Sequence, residues 1–353
     1  MKIATIIGTR PEIIKMSRLI PLLDKKFEHI FIYTGQHFSE NMSDIFFSEL
    51  KVRDPDINLN LKTSEYALLI NSCVDALQKI NVDWVLVYGD TNSTLAGAIA
   101  TKILNKKLIH VEAGLRSFDR EMFEEVNRII ADHLSQLLFT PTGYTKNLLN
   151  KEGLTENIFV VGNTIVDAVN FYSKEIKNSS ILNKLGLKEE EYILLTLHRP
   201  ELVDRPERLK NVIRAVKEIS DTIVFPIHPR TKMRLKEFKL NLPKNVKGIE
   251  PVGYFDFLNL LKNSSLVMTD SGGIQEEAIT LKVPCVTVRR TTERQETVEL
   301  GANFLTGFET NKIIENVKKI KEKQIKDKIK KLPNPYGDGK TSKKIIEILK
   351  KVI

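Results

Sequence analysis

Ser265-Leu266-Val267-Met268-Thr269-Asp270-Ser271-Gly272-Gly273-Ile274-Gln275-Glu276-Glu277-Ala278 joins an apolar run, a serine–glycine turn and the start of a helical pattern. Residues 265–269 read as a buried strand, and Ser271, Gly272 and Gly273 stand where it hands over to a helix. Unpaired backbone N–H groups and the positive end of the helix dipole converge at such a junction, which suits an anion such as a phosphate. Glycine lets the anion approach the backbone. Glu276 and Glu277 follow within the helix. They repel a phosphate but accept hydrogen bonds from hydroxyls, so the set suits a nucleotide with its ribose. The same residues also describe a plain tight corner, and alone they leave both readings open.

The strand-to-helix handover recurs along the chain. Ile3-Ala4-Thr5-Ile6-Ile7 leads into Gly8-Thr9-Arg10-Pro11-Glu12 and a helix from about Ile13. His29-Ile30-Phe31-Ile32-Tyr33 is a second strand. Trp84-Val85-Leu86-Val87-Tyr88 precedes Gly89-Asp90-Thr91-Asn92-Ser93 and a helix, and Leu108-Ile109-His110-Val111 precedes Glu112-Ala113-Gly114. The pattern restarts with strands at 192–196, 222–225, 267–269 and 283–288. Near-continuous apolar strands separated by helices predict parallel sheets covered on both faces. The expected fold is α/β: two doubly wound, Rossmann-like domains, residues 1–170 and 171–339, facing a central cleft. A last helix over 340–353 is expected to pack back on the first domain. In such sheets ligands bind beyond the carboxyl ends of the strands, and every polar motif above falls at such an end.

Composition narrows the function classes. The 353 residues suffice for two domains, with 42% hydrophobic and 28% charged content. No apolar run is long enough to span a membrane, and Arg10 and Glu12 interrupt the N-terminus before a signal-peptide core could form. Cys73 and Cys285 lie far apart and suit free thiols in a reducing cytoplasm. The net charge of +9 is confined to residues 312–353, which carry 14 Lys+Arg against 5 Asp+Glu; the other 311 residues carry 40 of each. The lysines there alternate with Ile and Val at helical spacing and lack interleaved aromatics, so they read as a solvated helix face and not as a nucleic-acid site.

The polar clusters each have a bland and a chemical reading. Arg10 and Lys15 suit a diphosphate, or are surface cations beside a capped helix start. Asp90 opens a Thr/Asn/Ser-rich turn and fits an Asx-type cap. Glu112, with a glycine two residues on, is expected to project from the sheet into the cleft. Glu124 and Glu125 open a further helix, where acids ordinarily serve as dipole partners. His198 and His228 end two strands of the second domain, each with an arginine nearby. Their spacing is not that of metal ligands.

Taken together, Gly8-Thr9-Arg10-Pro11-Glu12-Ile13-Ile14-Lys15, Gly89-Asp90-Thr91, His110-Val111-Glu112-Ala113-Gly114-Leu115-Arg116, Gly162-Asn163-Thr164, residues 270–277, Thr291-Thr292-Glu293-Arg294 and Asn334-Pro335-Tyr336-Gly337-Asp338-Gly339 resemble the non-hydrolysing UDP-N-acetylglucosamine 2-epimerases over essentially the whole chain. The resemblance implies a glycosyltransferase-B-like fold and interconversion of UDP-GlcNAc and UDP-ManNAc without cofactor or metal, in a homodimer. It implies anti elimination of UDP to 2-acetamidoglucal and re-addition. By motif, Asp90, Glu112 and Glu124 match the family's essential acids and His198 its essential histidine. Arg10, Lys15, Ser271, Gly272, Gly273, Glu277 and Arg294 match positions around UDP, and Phe257 is placed near uracil. Which acid acts as base stays open. Two departures stand out. Phe123 replaces the proline usual before the Glu-Glu pair. Gln36-His37-Phe38-Ser39-Glu40-Asn41-Met42 lacks the Arg-Glu-Met that bacterial members use at a second, activating substrate site. The alternatives are an epimerase for a modified UDP-sugar, a hydrolysing epimerase that releases ManNAc, and a non-catalytic nucleotide-sugar binder.

Overall fold

The computed structural model describes residues 1–36 and 46–353. The chain divides into two compact units, Met1–Asn170 with Tyr336–Ile353, and Phe171–Pro335. Among the described residues the first holds seven strands: β1 Lys2–Ile7, β2 Glu28–Tyr33, β3 Ile57–Asn58, β4 Trp84–Tyr88, β5 Lys107–Val111, β6 Leu137–Thr140 and β7 Ile158–Val160, in the order β3-β2-β1-β4-β5-β6-β7. The second holds six: β8 Tyr192–Thr196, β9 Thr222–Pro226, β10 Val246–Ile249, β11 Leu266–Thr269, β12 Cys285–Thr287 and β13 Asn303–Leu305, in the order β10-β9-β8-β11-β12-β13. Neighbouring strands run parallel, for example β1 with β4 and β8 with β11.

Both sheets reverse direction at the same place. The chain builds outward from β1 to β3, then returns to lay β4 on the other side; β8, β9, β10 and β11 repeat the scheme. Connections leaving the two central strands diverge, which opens a crevice beyond their carboxyl ends. Gly8-Thr9-Arg10 and Gly89-Asp90-Thr91 stand there in the first unit; Leu197-His198-Arg199 and Asp270-Ser271-Gly272 stand there in the second.

Burial explains why these segments are so apolar. Ala4, Ile6, Val85 and Val87 pack with Leu69, Cys73 and Leu77 of the helix Tyr66–Gln78 and with Ala96, Ala98 and Ala100 of the helix Asn92–Ile103. Gly97 lets the second helix approach β4, since a Cβ there would stand 2.9 Å from Val87 Cγ1. The final helix, Thr341–Val352, packs on the helix Ile20–Lys26. Two of its orphan N–H donors are capped across the fold: Asp167 accepts from Thr341 N at 3.0 Å and Ser342 N at 2.7 Å. In the lysine-rich stretch Ile313, Val317, Ile320 and Ile329 are buried, and Lys318, Lys319, Lys328 and Lys331 face solvent. Among the described residues no helix is long and apolar enough to cross a membrane.

Two boundaries depart from expectation. The first helix runs Arg10–Met16, three residues earlier than the apolar pattern predicts. Its start is set by a capping box: Glu12 accepts from the backbone and hydroxyl of Thr9, both at 2.8 Å. The strand expected over 283–288 narrows to Cys285–Thr287: Pro284 has no N–H and offers β11 only its carbonyl, which accepts from Val267 N at 2.9 Å.

Candidate functional residues in each unit

In the first unit the acids occupy the strand ends. Glu112 follows β5 with φ of 72°, a left-handed conformation that costs a non-glycine residue of order 1–3 kcal/mol. That turn points its carboxylate inward. Glu112 is 5% exposed. It accepts from Lys15 Nζ at 2.5 Å, Tyr88 Oη at 3.0 Å and Asn163 Nδ2 at 2.9 Å. Lys15 thus pairs with a buried carboxylate and is not a surface cation. Arg10 lies over the ring of Phe46, 4.9 Å from its centroid.

Asp90 is half-buried and bonded to Arg128. The two helix-start acids take different places. Glu125 is buried; it holds Arg128 and accepts from Ser117 N at 2.9 Å, Ser117 Oγ at 2.9 Å and Phe118 N at 2.8 Å. Glu124 is half-buried beside it, in the first turn of the helix Phe123–Leu134. Phe123, the departure noted above, is 72% exposed. Asn127 donates to the Asp90 carbonyl at 2.9 Å, so this helix fixes both backbone and side chain of Asp90.

Behind these acids lies a buried network. His110 places Nε2 2.7 Å from the Gly89 carbonyl and Nδ1 2.7 Å from Asp132. Asp132 also meets Arg116 Nη1 at 2.7 Å and Gly114 N at 3.2 Å. Gly114 is required by its φ of 82° and by Thr145 O, which would stand 2.6 Å from a Cβ. The turns before Asp90 and after Glu112 are therefore tied to one scaffold.

Glu12 is a further buried acid of this unit. Its Oε2 accepts from Gly8 and Thr9, and its Oε1 from Thr91 at 3.0 Å and Thr94 at 3.2 Å. Burial outweighs these donors and pushes its carboxyl from 4.5 up to about 7. The native state then keeps a proton that the unfolded chain releases. The resulting stabilisation is fully present below about 4.5 and is lost as pH rises through about 7. Glu12→Gln is expected to remove this slope, worth of order 3 kcal/mol across the window. Urea unfolding of both proteins at pH 5 and pH 8 measures it, with Trp84, the single tryptophan, as the first unit's reporter. Equal slopes would contradict the assignment.

In the second unit the serine–glycine loop starts the helix Gly272–Leu281. Ser271 is its N-cap, yet its side chain makes no capping bond. A Cβ on Gly273 would meet nothing within 4 Å, so this side of the loop is open. At Gly272 a Cβ would stand 2.4 Å from Glu293 Oε1 and 3.3 Å from Arg294 Nη1. Arg294 therefore backs the loop, pairing with Glu276 at 2.9 Å and Glu293 at 2.9 Å. Asp270 accepts from the N–H groups of His198 and Arg199, each at 2.8 Å, and lies 3.0 Å from His198 Nδ1. Burial pushes the Asp270 carboxyl up, but His198 and these N–H groups hold it below the ordinary range. The rings of His198 and His228 lie 5.6 Å apart. Glu277 accepts from Tyr254 Oη at 3.0 Å. Phe257 is half-buried one turn along from Tyr254, in the helix Tyr254–Lys262.

The structure thus brings Lys15 to Glu112 within one unit, and His198 to the loop at 270–273 in the other. Sequence reading does not reach Tyr88, Asn163 and Tyr254, which meet Glu112 and Glu277 only through tertiary contact, nor the pairing of Arg128 with Asp90, 38 positions away. Gln36 accepts from Ser93 N at 2.9 Å; residues 37–42, where the activating-site motif departs, lie outside the described residues. Among the described residues no cluster of three metal-ligating side chains occurs.

A family model described as UDP-N-acetylglucosamine 2-epimerase matches residues 22–350. The UDP-N-acetylglucosamine 2-epimerase of Methanocaldococcus jannaschii is 48% identical, covering 99% of both chains. The solved structure of that organism's UDP-GlcNAc 2-epimerase in complex with UDP-GlcNAc and UDP superposes with a TM-score of 0.92, covering 99% of this chain and 100% of that one. A UDP-2,3-diacetamido-2,3-dideoxy-D-glucuronate 2-epimerase of Pseudomonas aeruginosa is 40% identical over the full length of both.

Proposed function

From the premise that this chain belongs to the UDP-N-acetylglucosamine 2-epimerase family, we propose that it interconverts UDP-GlcNAc and UDP-ManNAc without hydrolysing them. The observation that carries the reading is the pairing of Glu112 with Lys15 and of Asp90 with Arg128 at the strand ends of one unit. The open N-terminus at Ser271–Gly273 in the other unit suits the departing UDP.

The hydrogen at C2 of the sugar is not adjacent to a carbonyl carbon, so simple deprotonation is unfavourable. Elimination avoids the problem. A carboxylate takes the C2 proton, the C–H electron pair becomes the C1–C2 double bond, and the C1–O electron pair leaves with UDP. For return on the other face, a carboxylic acid protonates C2 and a UDP oxygen re-forms the bond to C1. Asp90, Glu112 and Glu124 are the acid and base candidates. His198, Arg10, Lys15 and the loop at Ser271, Gly272 and Gly273 stabilise diphosphate charge as the bond breaks. Glu277 accepts from the ribose, Phe257 lies against uracil, and Arg294 holds the loop from behind.

Incubation with UDP-GlcNAc in deuterated water, followed by NMR, tests the proposal. Both epimers are expected, with deuterium at C2. Free ManNAc would mean a hydrolysing enzyme, and binding without exchange would leave a nucleotide-sugar binder. The Pseudomonas aeruginosa relative motivates a second reading, turnover of a modified UDP-sugar. Faster exchange with a 2,3-diacetamido substrate in the same assay would favour it.

A further inference from the structure

A capping-box glutamate ordinarily serves its own helix start. Glu12 uses one oxygen that way: Oε2 accepts from Gly8 N at 3.0 Å and from Thr9 N and Oγ1 at 2.8 Å each. Its other oxygen crosses to the next central strand. Oε1 accepts from Thr91 Oγ1 and Thr94 Oγ1, which cap the helix after β4 and lie 79 and 82 positions away. We propose that Glu12 is a positioning residue, a latch that sets the corner carrying Arg10 and Lys15 against the turn carrying Asp90. This rests on the function proposed above.

The geometry leaves little slack for another arrangement. The β1–β4 ladder pairs Ile6 with Val87, but Gly8, Thr9 and Asp90 lie beyond it and need other partners. Gly8 and Ser93 touch so closely that a Cβ on Gly8 would stand 2.1 Å from Ser93 Oγ and 2.0 Å from Thr34 Oγ1. Ser93 is itself held by Gln36, which accepts from its N–H and hydroxyl. Asp90 sits between Gly89, tied to His110, and Thr91, tied to Glu12. Its backbone is thereby gripped on both sides. A displacement of about 1 Å at a reacting group costs on the order of 10²-fold in rate, so losing one grip is expected to show in turnover.

Glu12→Gln keeps the volume and puts an NH2 donor where Oε1 accepts, so the Thr91 and Thr94 hydroxyls lose their acceptor. Thr91→Val removes the receiving hydroxyl. Thr91→Ser keeps it. Each of the first two is expected to lower kcat on the order of 10- to 100-fold with KM for UDP-GlcNAc changed less than about threefold. The double variant should be no slower than the worse single one, because both cut the same link. Thr91→Ser should restore kcat. A readout independent of activity is hydrogen exchange by mass spectrometry. In Glu12→Gln the peptide spanning residues 89–94 should exchange on the order of tenfold faster, with the peptide spanning 266–271 unchanged. Normal kcat with unchanged exchange, or multiplicative losses in the double variant, would overturn the latch. If the wild type fails to epimerise, the proposed function falls while the exchange measurement still decides the latch.

Discussion

Asp90→Asn is expected to lower turnover of UDP-GlcNAc on the order of 10²- to 10⁴-fold, the scale of a lost general acid or base. UDP should still bind within about twofold of the wild type by calorimetry. The variant keeps the shape of the side chain and its carbonyl oxygen, so Arg128 retains a hydrogen-bond acceptor and Asn127 retains the Asp90 backbone carbonyl. The serine–glycine loop assigned to UDP stands in the other unit, in a separate sheet. Loss of turnover with UDP affinity intact would therefore locate the defect in proton transfer. Near-normal turnover would remove Asp90 from the mechanism and leave Glu112 and Glu124 as the candidates.

Asp132→Asn is expected to cost the first unit about 3–5 kcal/mol, the scale of removing one partner from a buried ion pair. Asp132 is fully buried between His110 and Arg116. Burial alone would push its carboxyl up; His110 and Arg116 outweigh burial and hold it below the ordinary value of 3.8. Its stabilisation is thus present above 3.8 and lost as pH falls through the lower native value. The asparagine leaves Arg116 with Glu152 as its carboxylate partner and removes the carboxylate that faces His110. Urea unfolding at pH 7, followed through Trp84, measures the loss; a change below about 1 kcal/mol would show that the network is dispensable. The wild-type advantage should also shrink on acidification, as the carboxylate becomes protonated.

Much of this was legible because it is local. An apolar strand that runs into a glycine, a polar residue and a helix start declares itself within about ten residues, and it did so at Gly8, Gly89 and Gly272. Strand β6, Leu137–Thr140, and the two-residue β3 were not visible, since such short runs carry no period to distinguish them from the buried side of a helix. The site divides the same way. Asp90 and Glu112 stand out beside their glycines. The difference between Glu124 and Glu125 does not, because adjacent helical residues point about 100° apart and only the location of Arg128 and Ser117 decides which carboxylate is buried.

The sequence by itself determined the two parallel sheets, the strand ends that carry the polar residues, and the family those residues resemble. These follow from periodicity and turn chemistry between near neighbours. The tertiary structure decided which groups pair. Lys15 meets Glu112 across 97 positions, His198 meets Asp270 across 72, and Glu12 reaches Thr91 across 79. Such pairings depend on strand order, which places β1 beside β4 and β8 beside β11. A buried charge is stable only where that order delivers its partner.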